Sequence, residues 1–216
     1  MGFSPPTTGP HVEKHFTSSV LLWVRSEQSR QTGMDYWKGP HSGIIAATPG
    51  LEEYRQIHLA EHNPGLWPAT TGVETTIPAD RKIDGIAEVT FQSALSPLKG
   101  RKQTALAYKD EVNVFRRTLL YTGMLKELRT QSFMPWIKKT WDTPNVAHDN
   151  PADQRFHASI ILGFADSAAR DAFFSSTAVR NLSHQLNPVA SAIHAYEVDA
   201  ALTYVKGGRI LPHYEE

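Results

Sequence analysis

A chain of 216 residues, with 40% hydrophobic and 20% charged side chains, can hold one large or two small domains around a substantial core. Its 22 basic and 22 acidic residues cancel, which excludes an electrostatic footprint for nucleic acid. There is no cysteine, so disulfides, thiolate metal sites and a cysteine nucleophile are all excluded.

Residues 1–16, with Pro5, Pro6, Pro10, His11 and His15, read as a polar arm without the apolar run of a signal peptide. No stretch approaches the ~20 apolar residues of a membrane span, so no membrane partner and a cytoplasmic location are expected. Ser18 to Val24 is a nearly continuous apolar run, suited to a central strand. Ser26 to Thr32 reads as a loop. A helix is predicted over about 34–47, with Asp35 near its start and Pro49-Gly50 after its end. The Gly39-Pro40 step breaks its first turn, because proline has no N–H and disfavours helix at the residue before it. His41 follows just past that break.

Leu51 to Leu59 alternates as a strand, with Tyr54, Gln56 and His58 on one face and Arg55, Ile57 and Leu59 on the other. Residues 60–82, rich in proline and glycine, form a long surface loop. Gly85 to Gln92 is the third strand, with Glu88 on the face opposite Ala87 and Val89. A helix over about 96–113 opens with Ser96-Pro97, and Thr118 to Thr122 is the fourth strand. This β-α-β-β-α-β order leaves one sheet face bare, to be covered by a tandem repeat or by a homodimer.

Residues 128–154 read as a linker with a helix near 132–141. Phe156 to Phe164, Ala190 to Val198 and Leu202 to Val205 are expected strands, and helices fall at Ser167 to Phe174 and Ala178 to Gln185. Residues 155–206 would then be a diverged second half, with 207–216 as a C-terminal arm.

Tyr36-Trp37-x-x-Pro40-His41, then Pro49-Gly50-Leu51-x-x-Tyr54-x-Gln56, then Asp84-Gly85-Ile86-Ala87-Glu88-Val89-Thr90-Phe91 resemble, in order and spacing, the EthD family of the dimeric α+β barrel group. The resemblance covers residues 17–122. It implies an α+β fold of tandem ferredoxin-like halves, with antiparallel sheets forming a barrel and helices outside, and places His41 on the family's recurring helix histidine. That superfamily spans cofactor-free monooxygenases, isomerases, cyclases, dehydratases and haem proteins, and fold does not choose among them.

His41 is the first candidate for acid/base work, since an imidazole accepts or donates a proton near neutral pH. Trp37 lies four residues before it, on the same helical face, as a clamp for a flat ligand or as plain core; Tyr36 points elsewhere. Tyr54, Gln56 and His58 either orient a substrate, with His58 a second acid/base, or form ordinary surface alternation. Glu88, mid-strand, is expected to face the same cavity, where a carboxylate needs a partner. Asp110-Glu111 read as a solvated helix face. His157 with Ser159, and His194 with Tyr196, share strand faces in the C-terminal half, and His194 echoes the Tyr54–His58 row as a substrate contact. His58-x-x-x-His62 has a zinc spacing by number only, so no metal is assigned. The leading expectation is a cofactor-independent enzyme acting on an aromatic or polyketide-like small molecule, with His41 and His58 as proton carriers. The alternatives are a haem protein with a histidine axial ligand and a non-catalytic small-molecule carrier.

Overall fold

The structure is a computed structural model and describes residues 16–93, 95–96, 100–124, 127–130, 145–148 and 156–216. The polar arm and the helix near 132–141 lie outside these residues. The molecule is an α+β fold built on one antiparallel sheet of seven strands in the order β5-β4-β1-β3-β2-β6-β7. Strands β1 (Phe16–Val24), β2 (Leu51–Leu59), β3 (Gly85–Phe91) and β4 (Phe115–Met124) carry the first half. Strand β5 (Glu127–Thr130) turns back on β4. Strands β6 (Val198–Lys206) and β7 (Arg209–Glu215) form a hairpin whose β6 joins β2.

Helices α1 (Arg30–Tyr36) and α2 (Ser42–Ala46) run on from each other through a five-residue π-helical turn, Trp37–His41. The helix starts earlier than its sequence suggests. Ser29 caps it by accepting the Thr32 N–H at 3.1 Å, so residues read as loop become its first turn. The π turn is where Pro40 falls. Proline withholds an N–H and crowds the carbonyl four residues back, and widening the turn lets the helix pass it. The Arg30 guanidinium bonds Asp84 at 2.8 Å, and Asp84 also accepts the Val24 N–H, so the head of α1 is pinned to the sheet. Helix α3 (Arg101–Val114) follows Gly100 and ends in β4; Gln103 ties it to α2 by donating to the Ile44 carbonyl at 2.8 Å.

The two sheet faces bury different sets. Leu22, Val24, Tyr54, Ala87, Phe115 and Leu202 pack under the helices with Met34, Trp37 and Ala46. Leu21, Trp23, Ile57, Ile86, Leu119 and Tyr121 form the other face, covered by Phe156 and Tyr196. The alternation of strand side chains produces this division. The covering comes from the loop after β2 lying along residues 191–197, through Ala60 N–H to Glu197 O, Leu66 N–H to Ala195 O and Ile193 N–H to Glu74 O bonds.

Three expectations are corrected. The sheet is open rather than a closed barrel. The chain beyond 155 does not build a second sheet among the described residues: 156–164 and 190–197 have no strand, because their backbones are spent on the loop after β2 or left to solvent. The C-terminal arm is β7, turned by Gly207 and Gly208 at φ 56° and 72°. Helices α4 (Ser167–Ser175) and α5 (Thr177–Leu186) lie where the sequence puts them, capped by Asp166 and Ser176. No helix among the described residues is long and apolar enough to cross a membrane.

Candidate active site

The widened turn presents its carbonyls to the sheet, and buried side chains meet them. Gln56 donates to the Trp37 carbonyl at 2.9 Å and to the Tyr54 hydroxyl at 2.7 Å. The Tyr204 hydroxyl donates to the Lys38 carbonyl at 2.8 Å, and the Ser42 hydroxyl reaches the Lys38 and Gly39 carbonyls. A buried amide oxygen or nitrogen without a partner is costly, so this network holds the irregular turn in one conformation.

The same turn positions two aromatic groups. Trp37 is 1% exposed and stacks on the His58 ring at 4.6 Å, with 12° between planes. Its six-membered ring lies against Gly85, where an added Cβ would come within 2.3 Å of the indole. Phe115 meets Trp37 edge-on at 6.2 Å and His41 edge-on at 5.4 Å. A chain of four rings thus runs His58, Trp37, Phe115, His41.

His41 sits at the end of the turn, 4% exposed, with Nδ1 2.9 Å from Asp110 Oδ2 on α3. The other Asp110 oxygen accepts the Tyr36 hydroxyl and the Asn113 amide, both at 2.9 Å. Burial alone would raise the Asp110 pKa, but the bonds from His41, Asn113 and Tyr36 outweigh it and hold the carboxylate below its ordinary value. An ionised Asp110 can only accept, so Nδ1 of His41 carries the proton. Burial pushes the His41 pKa down, against the opposing pull of Asp110, and the ring is neutral at pH 7. Its Nε2 lone pair has no hydrogen-bond partner among the described residues. The hydrogen bond to Asp110 raises the Tyr36 phenol above its usual pKa, so it stays a donor.

His58 is the second neutral imidazole. Its Nε2 bonds Gln56 Oε1 at 2.9 Å, and burial, with Lys38 and Arg30 nearby, brings its pKa down to about 4. With the Gln56 amide hydrogens already donated, the Gln56 oxygen accepts and His58 Nε2 is the donor.

The structure brings together His41, Tyr36, Trp37, Tyr54, Gln56 and His58, all on the helix side of the sheet. It does not bring Glu88 or His194 there. Glu88 points to the opposite face, where Arg55 Nε bonds it at 3.0 Å, as its register beside Arg55 requires. His194 lies in an irregular segment against that opposite face, bonded to Glu74 at 2.8 Å. The row Tyr54–Gln56–His58 is also placed differently from the expectation: it is buried under the helices, not lining a cavity between sheets. Asp110 and Tyr204 are the members that sequence reasoning missed. Asp110 was read as solvated, yet it falls in the α3 row Ala107–Asp110–Val114, whose apolar members are buried, and that spacing was its signal. Tyr204 lies in a strand whose only cue was Leu202 to Val205.

No group of three or more histidine or carboxylate side chains among the described residues could hold a metal ion. No protein-family model matches the chain, and comparison with curated proteins gives no match.

Proposed function

We propose that the protein is a cofactor-independent enzyme, a divergent relative of the EthD family, in which the His41–Asp110 pair removes a proton from an aromatic or polyketide-like small molecule. The observation that carries this reading is the His41 imidazole held by a carboxylate at Nδ1 with Nε2 left as a bare lone pair. The order β4-β1-β3-β2 under two helical segments, as in a ferredoxin-like half, supports the family resemblance. In the step, a C–H bond beside a substrate carbonyl breaks, its proton joins Nε2, and the electron pair moves onto the carbonyl oxygen as an enolate. The Asp110 carboxylate stabilises the imidazolium so formed. Return of the proton at another atom gives isomerisation, and loss of a leaving group gives dehydration.

Haem is the weaker alternative. An axial ligand needs an open approach as wide as a porphyrin at Nε2, whereas His41 is buried and wedged against the edge of Phe115. That crowding is what favours a smaller ligand over haem.

The reading is tested by deuterium incorporation from heavy water into a panel of neutral aromatic ketones and linear polyketones, followed by mass spectrometry. Positioned proton transfer is worth on the order of 10²–10⁴ in rate. Exchange should therefore be catalysed by the native protein and fall by at least about 10²-fold in His41→Ala. Exchange that survives in folded His41→Ala, or is absent across the panel with native protein, overturns it. A pure carrier would bind members of the panel without exchanging them.

A further inference from the structure

The sheet face away from the helices contains a second imidazole oriented by a carboxylate. His194 Nε2 lies 2.8 Å from Glu74 Oε1, and Glu74 is itself bonded by Arg81 through its other oxygen. This anchoring puts the ring proton on Nε2 and leaves Nδ1 as an acceptor. The side chain is 3% exposed, and Nδ1 is buried with no hydrogen-bond partner. The ring meets Phe156 edge-on at 6.1 Å, and Phe156 packs against the buried cluster that contains Trp23. Trp23 is fully buried, and its indole N–H has no partner either. Folded proteins pair nearly all their buried polar atoms, so an acceptor and a donor left over in one apolar layer require an explanation.

We propose that this layer is a second binding site, separate from the His41 centre, for a small neutral aromatic molecule bearing both a hydroxyl and a carbonyl. The hydroxyl donates to His194 Nδ1, the carbonyl accepts from an indole N–H, and the ring takes its place among Phe156, Ile57 and Ile86. The complementarity is specific. The His194 Nδ1 lone pair rejects a ligand without a donor, and the Trp23 indole, which only donates, rejects one without an acceptor.

The probe is 4-hydroxyacetophenone, which carries one group of each kind. It is titrated into ¹⁵N-labelled full-length protein while the five indole N–H signals and the His194 ring nitrogens are observed. The expected result is a saturable shift of the Trp23 indole, with His194 Nδ1 moving from a bare lone pair to a hydrogen-bonded nitrogen. In His194→Phe, affinity should fall about tenfold or more, as loss of one buried hydrogen bond dictates. In His41→Ala it should be unchanged, which separates this site from the proposed catalytic one. The proposal is overturned by no saturable indole shift, by equal affinity in His194→Phe, or by loss of binding in His41→Ala. It is also overturned if Nδ1 is already hydrogen-bonded in the free protein and does not move, as an internal water would cause. Should His194→Phe fail to fold, the Nδ1 signal of the native protein decides alone.

Discussion

His58 carries a charge penalty that can be read as stability. Its pKa drops from an ordinary value near 6.5 to about 4 on folding, because burial and the Lys38 and Arg30 cations disfavour the imidazolium. Between those two pH values the unfolded chain binds the extra proton and the folded chain does not, so stability falls as pH is lowered from 6.5 to 4. A 2.5-unit shift, at ~1.36 kcal/mol per unit, bounds the loss at about 3 kcal/mol. Urea midpoints measured at pH 7.5 and pH 4.5 should diverge more in the native protein than in His58→Asn. Equal divergence in both would show that His58 is not the group responsible. At this same scale, the sequence revealed His41, Trp37 and Gln56 as a group because they sit close together in the chain. Asp110, 69 residues from His41, was not legible by proximity. Glu88 was misplaced by an error of a different kind, since its face was read correctly but the face lining the site was not.

At the scale of elements, the Gly39-Pro40 irregularity was legible because proline chemistry is local. Its consequence was not, because the groups that satisfy the freed carbonyls come from β2 and β6. Gly85 is the point where element packing is least forgiving. The Trp37 indole lies against its backbone, and any side chain there meets the ring and the Ile57 carbonyl. Gly85→Ala should cost about 2–3 kcal/mol, the scale of overpacking a core, and should perturb the near-ultraviolet circular dichroism of Trp37. Pairing it with Trp37→Leu should recover much of that loss, since the smaller side chain can withdraw. A Gly85→Ala protein as stable as the native one would contradict the stacking of Trp37 on His58.

For the whole molecule, the first four strands were readable from alternation and apolar runs, which depend on the chain alone. The fate of the C-terminal half was not, because an apolar run such as Phe156 to Phe164 has a strand's composition whether or not a partner edge reaches it. The sheet instead grows by the β6–β7 hairpin, for which Gly207-Gly208 between two strand-like runs was the available cue. Strand β7 is mostly exposed and carries Pro212, features that discourage edge-to-edge pairing. It also packs Tyr214 on Tyr204 at 5.8 Å and under the Lys38 ammonium at 4.5 Å, linking the far edge of the sheet to the π turn. Removal of residues 207–216 should therefore expose the β6 edge, destabilise the turn and promote self-association. Size-exclusion chromatography with light scattering reads this directly, and a truncated protein with unchanged mass and stability would show that β7 protects nothing.

The most direct test of the account is ¹⁵N NMR of the His41 imidazole across a pH titration, in the native protein and in Asp110→Asn. The account predicts a protonated Nδ1 and a bare Nε2 at pH 7, a pKa below 6.5, and a further fall in that pKa once the carboxylate is removed. A proton on Nε2 at pH 7, or a pKa above 6.5 that Asp110→Asn leaves unmoved, would contradict it.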